Sequence, residues 1–175
     1  MSAFYTYLIS SLPMLQFGMR APFSWDDFLE RCQRLIPSRD YAFIKGLPGP
    51  QQYSEYTGEQ DTLRRWIDFD TALRNELVKL RASSKHIAAA KYLQAQNYLN
   101  LSLAQLASSA QRNPALQDAE ISLDRQRWAF LEELSFGHYF DLDFLIVYAY
   151  KLKILRRWEE VRRADKEELL EKVLT

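Results

Sequence analysis

From Phe144 to Tyr150 the chain runs through seven bulky uncharged residues and then turns to Lys151, Lys153, Arg156 and Arg157. The residues beyond Tyr150 separate a strand from a helix. Val147, Tyr148, Ile154, Leu155, Trp158 and Val161 recur at spacings of three, four and seven, so one apolar stripe continues beneath the charges. Lys151 lies on that stripe, where its stem can cover apolar surface while its ammonium reaches water. The spacing predicts a helix from about Asp141 to Arg163. Leu145, Ile146, Ala149 and Tyr150 make its first half apolar nearly all round, and its second half has a wet face. Asp141 and Asp143 suit the positive end of that helix, Arg162 and Arg163 its negative end.

The same grammar recurs elsewhere. Ser24-Trp25-Asp26-Asp27 places a capping hydroxyl before two acids and starts a helix with the face Trp25, Phe28, Leu29, Cys32, Leu35 and Ile36, ending at Pro37. A short turn of helix is expected from Ser38 to Ile44. The run Gly46-Leu47-Pro48-Gly49-Pro50 reads as a loop and as the best internal boundary. From about Gly58, Leu63, Trp66, Ile67, Asp70, Leu73, Leu77 and Leu80 mark a long amphipathic helix to near Ser83, with Asp70 the one charged member of the stripe. His86 to Leu99, rich in alanine, reads as a further helix, and Ser102 as the cap of a short one through Ala110. Asn113-Pro114 opens another, carrying Leu116, Ala119, Ile121, Leu123, Trp128, Phe130, Leu131 and Leu134 and stopped by Phe136-Gly137. Asp165 reads as the cap of a last short helix, Lys166 to Leu174.

No sustained β alternation occurs. The expectation is an all-α, irregular multi-helix domain of about six to eight helices spanning residues 1–175, with a possible subdivision at 46–50. A weak internal repeat is suggested by Asp68-Phe69-Asp70 and Asp141-Leu142-Asp143, each followed by aliphatic residues and then arginines.

Composition narrows the function classes. The 175 residues are 47% apolar and 26% charged, as in ordinary globular chains. An aromatic share of 14% favours a chain with partners, since large rings dominate cores and interfaces alike. Twenty-three basic side chains balance twenty-three acidic ones, so no net field draws the protein to nucleic acid or anionic lipid. The single cysteine, Cys32, fits a reducing cytosol. The start, Met1 to Leu15, lacks the basic region of a signal peptide. No apolar run approaches the roughly 20 residues of a membrane helix, which leaves a cytoplasmic protein with no direct span as the expectation.

Candidate chemistry is sparse. His138, Asp141 and Asp143 form a His-x-x-Asp-x-Asp pattern able in principle to ligate a divalent metal, but local hydrogen bonding and helix capping account for it better. Glu132 and Glu133, adjacent on a helix, point about 100° apart and do not face one acid/base site. Cys32 sits on an apolar stripe, where a structural thiol is the commoner case. A Gly-rich phosphate loop is missing from the sequence. The expectation is therefore no catalytic residue, no cofactor and no bound metal. The candidate functional surface is a partner interface made of Lys151, Lys153, Arg156, Arg157, His138 and Tyr139, because Arg beside Trp and Tyr is enriched at binding surfaces.

Three stretches carry a resemblance. Tyr5 to Gly18 (YTYLISSLPMLQFG), Phe69 to Ala82 (FDTALRNELVKLRA) and above all Leu123 to Trp158 (LDRQRWAFLEELSFGHYFDLDFLIVYAYKLKILRRW) resemble a family of short bacterial proteins encoded among V-type ATP synthase subunits. That family is distantly similar to the funnel-shaped central-stalk component that seats the rotor shaft on the membrane ring in V-type and archaeal-type rotary ATPases. The Phe136-Gly137-His138-Tyr139-Phe140-Asp141 run is the most specific part of the match. The resemblance implies a non-catalytic, all-α stalk or assembly component of a proton- or sodium-transporting ATPase, with rotor-shaft and membrane-ring subunits as partners. It also implies peripheral attachment to the inner membrane through those subunits. The alternative is a free-standing cytosolic helical scaffold or regulator with no ATPase connection, and an enzyme of unrecognised type comes third.

Overall fold

Two side-chain devices start the best-defined helices. Ser24 Oγ accepts from the Asp27 amide at 3.0 Å while Asp27 Oδ2 accepts from the Ser24 amide at 3.0 Å, a reciprocal capping box. Gln60 Oε1 accepts from the Leu63 amide at 2.7 Å and caps the longer helix that begins at Asp61. The computed structural model describes the backbone over residues 3–174 and side chains over 5–164. Among these residues there is no strand. The helices are α1 (Ala3–Ser11), α2 (Trp25–Leu35), α3 (Ser38–Lys45), α4 (Asp61–Ser84), α5 (Leu101–Arg112), α6 (Leu116–Ser135) and α7 (Leu142–Leu174), with 3₁₀ turns at Pro50–Glu55 and Ala89–Lys91. The all-α class agrees with the apolar periodicity.

The chain divides into two compact units, one of Met1–Leu47 with Ser135–Thr175 and one of Pro48–Leu134. The first crossing point lies inside the 46–50 loop and the second at the end of α6.

In the unit Pro48–Leu134, α4 is the axis. Its stripe buries Leu63, Trp66, Phe69 and Leu73. Phe69 stacks on Phe130 of α6 with ring centroids 4.0 Å apart, and Tyr98 meets both rings edge-on at 5.4 Å. The charged member of the stripe is also inside. Asp70 is 1% exposed, and its carboxylate accepts from Arg127 Nε of α6 at 2.6 Å and from Arg74 Nε at 2.8 Å. Arg127, 7% exposed, donates in turn to the buried Asp124 at 2.9 Å. Trp66 Nε1 donates to the Tyr53 hydroxyl at 3.1 Å, and burial, then the charge of the nearby Asp70, push that hydroxyl above its ordinary value. One polar network thus joins a 3₁₀ turn, α4 and α6. Burial alone would push the Asp70 carboxyl up, but the guanidiniums of Arg127 and Arg74 outweigh it and hold the carboxyl below its usual range.

The unit of Met1–Leu47 with Ser135–Thr175 is built on the apolar half of α7. Leu145, Ile146, Ala149 and Leu152 are fully buried, as are Leu8 of α1, Phe28 and Cys32 of α2 and Ile44 of α3. Burying each such large side chain contributes about 1.5 to 3 kcal/mol. Tyr148 stacks on Phe28 at 5.6 Å and donates its hydroxyl to the Pro13 carbonyl at 3.0 Å, which fixes the loop after α1. The Tyr5 hydroxyl donates to Asp40 at 2.6 Å and ties α1 to α3.

Four local expectations are corrected. His86 to Leu99 is not a helix. His86 adopts φ 54°, and the Ile87 and His86 amides donate to the Ala82 and Ser83 carbonyls, a Schellman stop without glycine. Apart from the 3₁₀ turn at Ala89–Lys91, the chain beyond it is irregular, held to α4 by the Asn75 side-chain amide pairing both ways with the Gln94 backbone at 2.8 and 3.0 Å. These tertiary bonds and the Tyr98 ring contacts outweigh the helix propensity of three alanines. α5 is capped by Asn100, whose Oδ1 accepts from the Ser102 amide at 2.9 Å, and not by Ser102. α7 continues through Asp165 to Leu174 as one helix, since no Gly or Pro interrupts it. The suggested repeat also fails in register, because Asp68-Phe69-Asp70 lies in the middle of α4 and Asp141-Leu142-Asp143 at the start of α7.

Because buried carboxylates hold Arg127, Arg127→Ala is expected to destabilise the protein by about 3 to 5 kcal/mol in urea denaturation. Asp70→Asn added to that variant should recover part of the loss. Asp70 titrates below its unfolded value of 3.8, so its contribution is complete above that value and is lost as pH falls through the folded pKa. Equal acid sensitivity of the wild-type and Asp70→Asn proteins would refute this assignment.

Candidate functional site

The turn between α6 and α7 is built from its glycine outward. Gly137 has φ +85°, a conformation that strains any residue with a Cβ, and it stops α6. The His138 amide then donates to the Ser135 carbonyl at 3.0 Å. His138 Nδ1 lies 2.7 Å from Asp141 Oδ2, and Asp141 Oδ1 accepts from the Phe144 amide at 2.9 Å and caps α7. The short turn is thereby pinned at both ends. It leaves Phe136 86% and Tyr139 65% exposed, with Phe140 also at the surface. Large rings held in water by a constrained backbone are unusual and mark contact sites more often than lone surface leucines do.

His138, Asp141 and Asp143 bring one nitrogen and two carboxylate oxygens within 4.8 Å of one another, the one such group of metal-capable side chains among the described residues. The hydrogen bond to His138 and the cap on Phe144 account for the positions of His138 and Asp141 without an ion. Burial, the bond to Asp40, and then Asp141 and Asp143 together push the Tyr5 hydroxyl above its ordinary value. Cys32 is poorly suited to act as a nucleophile, because burial pushes its thiol up to about 12.

The four basic members of the expected interface do not share one surface. Lys151 is half-buried. Lys153 turns inward: its ammonium donates to the Leu47 carbonyl at 3.2 Å and sits 4.8 Å from the Trp25 ring and 5.1 Å from the Tyr150 ring. Burial pushes it down to about 8, against the rings and the carbonyl, which favour its charged form. Arg157 is exposed and lies 5.4 Å over the Trp158 ring. Arg156 faces Glu160 at 4.0 Å and lines a cleft of about 570 Å³ with Gly18, Arg20, Glu159, Arg162 and Arg163. At a rise of 1.5 Å per residue, Arg156 lies on the order of 20 Å along α7 from Asp141. The candidate site is therefore two features, an aromatic turn and an arginine cleft. The i, i+3, i+4, i+7 spacing of Arg156, Glu159, Glu160 and Arg163 was a signal for the cleft, whereas nothing local in the sequence announces Arg20.

A family model described as a protein of unknown function (DUF2764) matches residues 99–175, the stretch that holds α5, α6, the aromatic turn and α7. No curated protein and no solved structure matches the chain. Among the described residues, no helix is long and apolar enough to cross a membrane.

The inward placement of Lys153 has a consequence for stability. Its folded pKa of about 8 lies below the unfolded value of 10.5, so between these the unfolded chain binds more protons and the Lys153 contribution to stability rises with pH. Lys153→Met should lose that rise while matching or exceeding wild-type stability at pH 7. Denaturation midpoints at pH 7, 8.5 and 9.5 read the difference, and parallel pH profiles would contradict the buried placement.

Proposed function

We propose that the protein is a non-catalytic docking component of a V-type rotary ATPase, joining rotor-shaft and membrane-ring subunits by helix packing on the cytoplasmic side. The observation that carries docking is the pinned turn that presents Phe136 and Tyr139 to solvent. A rigid aromatic pair loses little conformational freedom on binding, which is why such residues dominate interface energetics. The choice of partner rests on the resemblance of Leu123 to Trp158, in which the same turn is the most specific run. In this reading α7 carries load: its first half is anchored in a core, so a force applied at the turn passes into the unit without bending the helix.

The test is co-purification of the tagged full chain with V-type ATPase subunits expressed together. The wild-type protein should retain a rotor or ring subunit, and each of Phe136→Ser and Tyr139→Ala should weaken that association by about 2 kcal/mol, roughly thirtyfold, with unchanged helix content. Failure of the wild-type chain to associate with any of these subunits would overturn the ATPase assignment in favour of a free-standing scaffold.

A further inference from the structure

Arg156, Glu159, Glu160 and Arg163 fall at i, i+3, i+4 and i+7 on α7 and line one face of the arginine cleft, with Arg162 at its flank and Arg20 contributed by the loop after α1. Gly18, at φ +86°, shapes that loop, and an added Cβ there would meet nothing within 4 Å. The glycine therefore serves the backbone turn and not a close packing contact. Among the lining residues four guanidiniums accompany two carboxylates. The Arg156 to Glu160 pair is long at 4.0 Å, and Arg162 Nη2 is buried without a hydrogen-bond partner. Arg162 Nη2 is thus an unsatisfied buried donor, and among the described lining residues the guanidiniums outnumber the carboxylates.

The order of signs along the wall says which anion fits. Positive, negative, positive over seven residues spans about 10 Å. Glu159 and Glu160 would repel a compact polyanion such as a phosphate group lodged between the arginines. They would pair with a cation placed midway between two anions. We infer that the cleft receives a helix of a partner protein carrying Asp or Glu at two positions seven residues apart, with Lys or Arg between them, so that facing charges match in register. This deepens the docking reading, on which it rests, by giving the chemistry of a second contact, and its own support is the charge pattern of the cleft rather than the aromatic turn.

The test uses the full chain and two synthetic helical peptides, one with Glu at i and i+7 and Lys at i+3 and i+4, the other with these signs exchanged. Fluorescence anisotropy at low salt should show the first peptide binding at least about tenfold more tightly than the second, with affinity falling as salt rises. The double variant Arg156→Glu/Arg163→Glu should abolish the preference, because each peptide then faces the wall with two attractive and two repulsive charges, and Arg157→Glu, outside the cleft lining, should leave it within about twofold. Inorganic pyrophosphate should not displace the first peptide at concentrations matched for charge. Equal affinity of the wild-type protein for both peptides, a preference that survives in the double variant, an equal loss in Arg157→Glu, or displacement by pyrophosphate would each overturn the inference. No ATPase subunit is present in this assay. Peptide selectivity without co-purification therefore defeats only the ATPase assignment, and co-purification without selectivity defeats only the cleft.

Discussion

Asp70 carries its charge in a place where an isolated carboxylate would be protonated or the helix displaced. It remains ionised because Arg127 and Arg74 donate to its two oxygens, while Asp124 accepts from a second nitrogen of the Arg127 fork. The two acids and two guanidiniums balance as a network, with Asp70, Asp124 and Arg127 inside and the Arg74 side chain reaching solvent. Its consequence is registry. Hydrophobic stripes on α4 and α6 could slide past one another at small cost, because leucine packs against leucine at several offsets. The Arg127 to Asp70 bond connects positions 57 residues apart and is satisfied at one offset only. That offset sets Phe69 against Phe130, and the Tyr98 ring closes over both.

The other unit is held differently. The first half of α7 is apolar nearly all round; α3 packs against it, Phe28 of α2 stacks on its Tyr148, and α1 packs on α2. Three polar contacts tie its margins: Tyr5 on Asp40, Tyr148 on the Pro13 carbonyl, Lys153 on the Leu47 carbonyl. Each fixes a helix or the exit of a loop. Lys153 marks where the chain leaves α3, and its nearness to the Trp25 and Tyr150 rings makes it as much a packing residue as a charged one.

Helix class and most helix bounds were legible because apolar spacing is a local signal, and the Ser24 cap and the Gly137 stop are local chemistry. The irregular stretch after α4 was not legible, since the bonds that hold it come from Asn75 and Asp68 on another element. Asp70 stood out as a charge on an apolar stripe, but its partner Arg127 looked like one more polar residue of an amphipathic helix. At the candidate site, His138 and Tyr139 could be read from the sequence as neighbours. Lys153 could not be assigned, because a lysine among apolar helix positions is equally compatible with a solvated ammonium and a buried one. Arg20 lay in an irregular loop, where spacing says nothing about direction.

The contrast between the two halves of α7 explains how one helix can serve both a core and a contact. Fixed over its first half by fully buried residues, it has little freedom to tilt there, so the direction of its second half is inherited from the core and not from the surface charges. The arginine cleft can therefore carry four guanidiniums and two carboxylates, with Arg20, Glu160 and Arg163 exposed to solvent, without depending on them for the fold. Exposed ion pairs of this kind contribute little to stability, which leaves their positions open to be set by what they meet. The aromatic turn is the opposite arrangement: Gly137 and the His138 to Asp141 bond hold it rigid, and its rings gain burial only in a contact. A rigid apolar end and a tolerant charged end on one anchored helix suit a contact made in two steps, in which charge guides the approach and the rings supply the hold.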